Sequence, residues 1–473
     1  MLFNSFQFLF FFIVVFSLYL CLNHKHQNRM LLVASYIFYG SWDWRFLSLL
    51  IISTLLDYFC GLKIENEVCP RKRKRYLTLS VCGNLAILGF FKYFNFFIGS
   101  MTGLLGLFDI HVNPFHLNVL LPIGISFYTF QTMSYSLDIY RGRLKPTRKF
   151  LDFALYVSFF PQLVAGPIER AKSLLPQILG ERHVTLEKIY HGTCLIFWGL
   201  FQKIYVADNL AKIVDPTYAS TEHSGAAYWL ASYAFMIQLY CDFAGYSNIA
   251  KGLGKMMGFD IMTNFYLPYF TCNVRDFWKR WHISLTSWVR DYLYYPLLKS
   301  SNSNFKKGLT VILTMSLIGL WHGPAWHFVA FGFYSGIGLI GYHITKPYFA
   351  VIRSKFPGRS VLIYRLIIGF LYFQGLMFGF MLFRAQETTR ALKMASKVLF
   401  DFSWRPLHSE MLLALLLFAG PMLLIEMWQH LKKDLDVLIK ANIWIKIPIY
   451  IILFFLMLIF GVSDEKAFIY FQF

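Results

Sequence analysis

The chain has 473 residues, of which 57% are hydrophobic and only 15% are charged, and its mean hydropathy is +0.50. Soluble globular domains carry about 25% charged residues. This composition therefore excludes an ordinary water-soluble protein and predicts that lipid surrounds much of the chain. The net charge of +20 comes from basic residues in short loops, which the positive-inside bias of membrane proteins explains better than a nucleic acid partner.

The N-terminal part predicts a series of membrane helices. Apolar runs occupy about 5–22, 30–39, 46–62, 77–97 and 117–139. A turn over 40–44 is expected to end the second run. Basic loops are predicted at 25–29, 71–75 and 141–149, with two crossings between successive loops. All three then lie on one side, which we assign to the cytoplasm, so the N-terminus is predicted to be extracytoplasmic.

The remainder of the chain predicts amphipathic or re-entrant helices first and further membrane helices after them. Residues 150–305 mix apolar runs with charges, glycines and prolines, which favours amphipathic or re-entrant helices. Apolar runs return at about 309–344, 361–383, 411–428 and 447–462. The predicted fold class is therefore all-α, a polytopic transmembrane helical bundle. We expect one membrane domain, with N-terminal helices over about 1–150, a core over about 151–345 and C-terminal helices over about 346–473.

His322 is the strongest candidate for a catalytic residue. It lies 14 residues after Gly308, which corresponds to about 21 Å of helical rise into an apolar run. Both ends of that run are basic, which predicts a chain that enters and returns with a bend at Gly323-Pro324, although one tilted crossing is the alternative. A histidine at such depth is a candidate general base. A structural histidine bonded to a neighbouring helix is the competing interpretation.

Other polar residues are weaker candidates. His282 lies in an amphipathic segment, where an interfacial polar role is the simpler interpretation, and His327 is either a partner of His322 or structural. Asp242 and Asp291 are candidates to orient a histidine. Four basic residues of one segment are predicted to contact either donor phosphates or lipid head groups, and these are Arg275, Lys279, Arg280 and Arg290.

Several common catalytic patterns are absent from the sequence. There is no HExxH zinc motif, no GxxxxGK[ST] phosphate loop and no GxSxG nucleophile elbow. The HxxxxD pair of many acyltransferases is absent too. The seven cysteines form no CxxC pair, so neither a disulfide framework nor a metal site is predicted.

A set of ordered motifs lies between residues 83 and 326. The most specific blocks are Arg280-Trp-His-Ile-Ser-Leu285 and Trp321-His-Gly323. Supporting blocks begin at Gly83, Phe91, Leu121, Pro161, Asp242, Asn264 and Trp288. Together these motifs resemble the membrane-bound O-acyltransferase (MBOAT) family, and within it the bacterial branch of alginate O-acetyltransferases and related polysaccharide acetylation proteins.

The resemblance implies helices around a central funnel, with His322 as the catalytic histidine and His282 as a supporting polar group. It implies that acetyl-CoA is the cytoplasmic donor substrate, with no bound cofactor and no metal. The implied acceptor is a polysaccharide, the implied partner is a periplasmic acetyltransferase, and the implied location is the bacterial inner membrane. Alternatives are a D-alanyl or fatty-acyl transferase of the same family, or a transporter of polysaccharide or lipid-linked sugar.

Overall fold

A computed structural model describes residues 1–113, 115–117, 120–299, 303–354, 360–462 and 468–469. The regular secondary structure of these residues is helical throughout, as the sequence predicts. The first eleven α-helices are α1 (Phe6–Cys21), α2 (His24–Asp43), α3 (Leu47–Asn66), α4 (Pro70–Leu88), α5 (Phe94–Gly106), α6 (Ile125–Tyr140), α7 (Phe150–Ser158), α8 (Phe160–Leu163), α9 (Ala171–Leu179), α10 (Leu186–Leu200) and α11 (Asp208–Ala219).

The other eleven are α12 (Gly225–Met256), α13 (Val274–Arg280), α14 (Ile283–Val289), α15 (Tyr295–Leu298), α16 (Asn304–His322), α17 (Trp326–Ser354), α18 (Ser360–Arg384), α19 (Thr388–Phe400), α20 (Pro406–Lys432), α21 (Val437–Lys440) and α22 (Ile443–Phe460). A 3-10 turn spans Trp44–Phe46, and π-helical turns span Gly89–Tyr93, Phe201–Ala207 and Arg290–Tyr294. The chain forms two compact units. The first contains Met1–Ile196 with Ile249–Met262, and the second contains Phe197–Asn248 with Thr263–Phe473.

Several helical stretches are suited to a bilayer. Among the described residues, six are long and apolar enough to cross one: His24–Asn66, Pro70–Gly106, Trp326–Phe349, Leu366–Arg384, Pro406–Lys432 and Ile443–Phe460. Helix α1 is apolar but shorter. The prediction of a helical protein with many membrane crossings is therefore confirmed, whereas the orientation of its N-terminus stays a prediction.

The bounds of three N-terminal helices correct the sequence-based prediction. Helix α2 begins at His24, because the side chain of Asn23 accepts a hydrogen bond from the His26 N–H at 3.2 Å. The prediction of a loop over 25–29 is therefore wrong. The helix continues through Gly40, a residue that costs a helix interior only about 1 kcal/mol. The basic 71–75 segment also lies inside a helix, α4, which starts at Pro70. Helix α6 begins eight residues later than predicted, after Gly124 at φ +75°.

Buried polar contacts hold α3, α4 and α6 of the first unit together. Asp57 of α3 is fully buried and accepts hydrogen bonds from the Ser80 hydroxyl, from the Ser136 hydroxyl at 2.6 Å and from the Asn84 amide at 2.6 Å. Asn84 belongs to one of the supporting motifs. A buried carboxylate is tolerated only when such donors surround it, so these four residues fix how the three helices pack.

Helices α16 and α17 of the second unit form an antiparallel hairpin. Three glycines mark positions of close backbone approach: Gly319 faces Phe328, Gly332 faces Met315 and Gly336 faces Ile312. As the residue numbers of these pairs rise along α17, they fall along α16, so the two helices are antiparallel. The chain therefore reverses direction between His322 and Trp326. The prediction of a run that returns after Gly323-Pro324 is confirmed, and the single tilted crossing is excluded.

The hairpin makes a direct prediction for Gly332→Ala. A Cβ atom there would overlap the carbonyl group of Met315, and backbone cannot move aside as a flexible side chain can. We expect the free energy of unfolding to fall by about 1–3 kcal/mol, the usual cost of overpacking. The measurement is the midpoint of thermal unfolding in detergent, which should be lower. Gly341→Ala on the same helix is the matched control, because a Cβ at Gly341 meets nothing within 4 Å. Equal midpoints for the two variants would contradict the hairpin geometry.

Candidate active site

His322 is the last residue of α16 and lies at the break of the hairpin. Its side chain is surrounded by aromatic rings, with those of Trp321 and Phe383 both at 5.2 Å and that of Phe331 at 6.3 Å between ring centroids. Only 4% of the residue is exposed. Gly323 leaves room for the ring of Phe328, which a Cβ atom would overlap and which packs against Phe383 of the cage at 4.9 Å. The break therefore leaves an imidazole at a helix end inside an aromatic cage.

His282 lies between α13 and α14 and adopts the left-handed conformation, with φ 43° and ψ 55°. Non-glycine residues with positive φ are uncommon, and such strain concentrates at functional sites. The residue is 1% exposed, and its ring makes an edge contact with Phe243 at 4.6 Å. Burial lowers the pKa of the His282 imidazole to about 3, so the ring is neutral at physiological pH. The prediction of a merely interfacial polar residue is wrong, because His282 belongs to the core.

The indole ring of Trp321 connects the two histidines. It lies 5.2 Å from the ring of His322 and 5.8 Å from that of His282, measured between centroids. The two histidines are 40 positions apart in the sequence, yet both contact one tryptophan. The structure thus brings together the two most specific motifs, which the sequence offered as separate blocks.

Asn264 forms a hydrogen-bonded cluster with His282. Its Oδ1 atom lies 3.2 Å from His282 Nδ1, 3.2 Å from the Ser284 backbone N and 2.9 Å from Ser284 Oγ. Its Nδ2 donates to Ser247 Oγ at 3.2 Å. Asn264 is 2% exposed. Sequence reasoning placed this residue in a motif and gave it no role, since its partners lie 17 to 20 positions away and leave no local pattern.

An apolar cleft of about 620 Å³ lies between α17 and α18, with α13 as its floor. Phe331, Trp278 and Phe380 line one part of it, and Lys346 and Tyr364 are also among its lining residues. An apolar pocket with a few polar groups is the usual form of a small-molecule site. Because Phe331 also contacts His322, the cleft and the histidine cage share a wall.

The α13–α14 segment is amphipathic, as predicted. Phe277, Trp281 and Trp288 are at most 5% exposed, whereas Arg275, Lys279 and Arg290 are exposed. This arrangement is stable because the aromatic rings are buried in the protein, while the charged side chains remain in contact with water or lipid head groups. The segment therefore carries exposed basic side chains and buried aromatic rings within the same short stretch as His282.

The four predicted donor contacts differ in their surroundings. Arg275 is exposed, and Arg280 is partly buried over the ring of Tyr266 at 5.6 Å. Lys279 lies 3.4 Å from Asp276. Arg290 donates to Asp291 at 2.8 Å. Donor binding by these groups stays a prediction.

Two acidic candidates and one histidine have other partners. Asp291 pairs with Arg290, and Asp242 pairs with Lys203 at 2.8 Å. Lys203 also contacts Asp208 at 2.8 Å, so it joins two buried carboxylates, a cluster that sequence reasoning missed. His327 Nδ1 lies 3.2 Å from the Leu382 carbonyl oxygen, which supports a structural role. Among the described residues, no group of three or more metal-ligating side chains is present.

The chain is similar to one protein family and to several individual proteins of known type. The family model described as MBOAT, membrane-bound O-acyltransferase family, matches residues 143–383. The chain is 39% identical over 407 residues to a probable alginate O-acetylase AlgI of Azotobacter vinelandii, covering 85% of this chain and 79% of that protein. It is 32% identical to a peptidoglycan O-acetyltransferase of Helicobacter pylori, covering 83% and 79%. It is 28% identical to a teichoic acid D-alanyltransferase of Bacillus subtilis, covering 58% and 71%.

Proposed function

Because this chain belongs to the membrane-bound O-acyltransferase family, we propose that it moves an acetyl group from acetyl-CoA to a secreted or cell-surface polysaccharide such as alginate. The observation that carries the proposal is the identity of about two residues in five to alginate O-acetylases over most of both chains. The buried pair of histidines around Trp321 supplies the chemistry that such a transfer needs.

The reaction requires a hydroxyl group to attack a thioester. In our proposal His322 accepts the proton of the acceptor hydroxyl as its oxygen bonds to the acetyl carbon. The carbon–sulfur bond then breaks, and the thiolate of coenzyme A takes up the proton held by His322, so that coenzyme A leaves as the thiol and the imidazole is again neutral. General-base catalysis of this kind contributes about 10²–10⁴-fold, and the enclosed position of the imidazole favours holding both reactants away from bulk water.

The proposed reaction has a direction across the membrane. Acetyl-CoA is cytoplasmic, whereas a secreted polysaccharide lies outside, so donor and acceptor reach the site from opposite faces of the bacterial inner membrane. We propose that an extracytoplasmic acetyltransferase assists on the outer side. The basic residues at 25–29, 71–75 and 141–149, the first two sets now placed in helices α2 and α4, favour an extracytoplasmic N-terminus by the positive-inside bias.

D-alanyl transfer is the second candidate within the family. The similarity to the D-alanyltransferase covers 58% of the chain at 28% identity, against 85% at 39% for the alginate O-acetylase. Both measures favour acetyl over D-alanyl transfer. Membership in an acyltransferase family also argues against the transporter.

The test uses membrane vesicles from cells that express the full chain, supplied with acetyl-labelled acetyl-CoA and alginate oligosaccharides. We expect label to move from the thioester to the sugar in wild-type vesicles and to stay on coenzyme A with His322→Ala. A parallel reaction with a D-alanyl carrier protein separates the two acyl groups. Transfer of D-alanine without transfer of acetate would overturn the acetyl assignment.

The basic residues give a separate prediction about donor binding. Arg275→Gln is expected to raise the KM for acetyl-CoA by up to about five-fold with little change in kcat, because an exposed ion pair contributes about 0.2–1 kcal/mol. The effect should shrink at high salt, where the charges are screened. Lys393→Gln, which removes an exposed charge from α19, is the matched control. An unchanged KM for Arg275→Gln would assign that residue to lipid contact instead.

A further inference from the structure

We propose that Asn264 is a positioning residue that holds His282 in the tautomer protonated on Nδ1, so that Nε2 presents a lone pair. The inference rests on the proposed function only for its catalytic consequence. The tautomer itself follows from hydrogen bonds within the second compact unit.

The first step is the orientation of the Asn264 amide. The backbone nitrogen of Ser284 lies 3.2 Å from Asn264 Oδ1, and a backbone N–H can only donate. The atom facing it must therefore be the amide oxygen and not the NH₂ group. The opposite end of the same amide agrees, because its Nδ2 donates to the hydroxyl of Ser247 at 3.2 Å.

The second step fixes the histidine. His282 Nδ1 lies 3.2 Å from the same Asn264 oxygen. Two lone pairs facing each other at this distance would repel, so Nδ1 must carry a hydrogen and donate it. In a neutral imidazole the other nitrogen, Nε2, is then the acceptor. Burial keeps the ring neutral, and the tautomer is thereby assigned.

The third step shows that the cluster is held rigidly. The Ile283 N–H donates to the Asn264 carbonyl oxygen at 2.8 Å, and the Tyr266 N–H donates to the Arg280 carbonyl oxygen at 3.0 Å. These two bonds join the backbone on either side of His282, which itself has φ 43°. The strained conformation is therefore maintained by bonds from the segment that carries Asn264.

The consequence concerns the role of His282 in acyl transfer. A ring protonated on Nδ1 that donates to Asn264 offers only an acceptor at Nε2. In this tautomer Nε2 can receive a hydrogen bond from an O–H or N–H group, and it cannot donate one to the developing oxyanion. The oxyanion must find its donors elsewhere, and removal of Asn264 should reverse this assignment.

The decisive variant is Asn264→Ala. Without the amide oxygen, the Ser284 hydroxyl loses its acceptor and lies 3.3 Å from His282 Nδ1. We expect it to donate to Nδ1, which moves the ring hydrogen to Nε2. The matched variant Ser284→Ala keeps both Asn264 and the backbone N–H, so its ring should remain protonated on Nδ1. Asn264→Asp retains the acceptor oxygen and should preserve the wild-type assignment.

The measurement is ¹⁵N solid-state NMR of the full chain, labelled in histidine and reconstituted in lipid bilayers. The His282 signals are identified by their loss in His282→Gln. We expect a protonated Nδ1 in wild type, Ser284→Ala and Asn264→Asp, and a protonated Nε2 in Asn264→Ala. A protonated Nε2 in the wild-type protein would overturn the proposal, as would an unchanged spectrum in Asn264→Ala.

Transfer assays on the same variants test the catalytic consequence. Loss of the residue that orients a metal-bound histidine costs about 10–100-fold. By analogy we expect a loss of that order for Asn264→Ala, with partial recovery in Asn264→Asp. Asn248→Ala is the control, because Asn248 bonds Gln202 at 2.8 Å. Because the NMR assignment requires no turnover, a failure of the acetyl-transfer proposal would leave the tautomer result standing.

Discussion

His322→Ala is expected to lower acetyl transfer by about 10²–10⁴-fold, the usual contribution of a general base, while the protein remains folded and inserted. The imidazole lies at the end of α16, where rings of Trp321, Phe331 and Phe383 surround it. These phenyl and indole rings cannot accept a proton, so the loss should appear in kcat with KM for acetyl-CoA nearly unchanged.

Three controls separate chemistry from folding in this experiment. His322→Gln retains a polar side chain of similar size and should be equally inactive. His343→Ala removes an exposed histidine from the other arm of the hairpin and should keep activity within about two-fold. His282→Ala should lose less than His322→Ala, since its proposed role is to support substrate binding. Wild-type rates in His322→Ala would remove the mechanism.

Lys203→Met is expected to cost about 3–5 kcal/mol of stability, because it leaves two buried carboxylates without their counter-charge. Lys203 contacts Asp208 and Asp242, each at 2.8 Å, and the side chains of all three residues are at most 10% exposed. The Ile469 N–H also donates to Asp242 at 2.7 Å. Asp242 is followed by Phe243, whose ring contacts His282, so the cluster anchors the helix that supports this histidine.

The loss should be visible as a lower midpoint of thermal unfolding in detergent, followed by size-exclusion chromatography. Lys440→Met is the matched control, because it breaks an exposed pair with Asp434, which is worth about 0–1 kcal/mol. The triple variant Lys203→Met, Asp208→Asn and Asp242→Asn should recover part of the loss, since it removes the uncompensated charges as well. If Lys203→Met were as stable as Lys440→Met, the cluster would have no structural role.

Local sequence determined the broad class of this protein and its family. Runs such as 361–383 and 447–462 are apolar over a length that suits a membrane helix, and their positions agree with α18 and α22. Gly323 and Pro324 predicted the break in the hairpin, because neither residue continues a helix well. His322 and His282 stood out since each lies in a specific motif, although only the structure shows that both contact Trp321.

Tertiary structure decided the features that depend on distant residues. The start of α2 is not one of these, because Asn23 caps a helix only three residues from His26. Asn264 meets Ser284 and His282, and Lys203 meets Asp242, across 18 to 39 positions. Periodicity reports only neighbours along one helix, so it cannot reveal such partners. The two histidines of the site can be identified from their local motifs. Their geometry depends on side chains that are distant in the sequence and that the fold brings into contact with them.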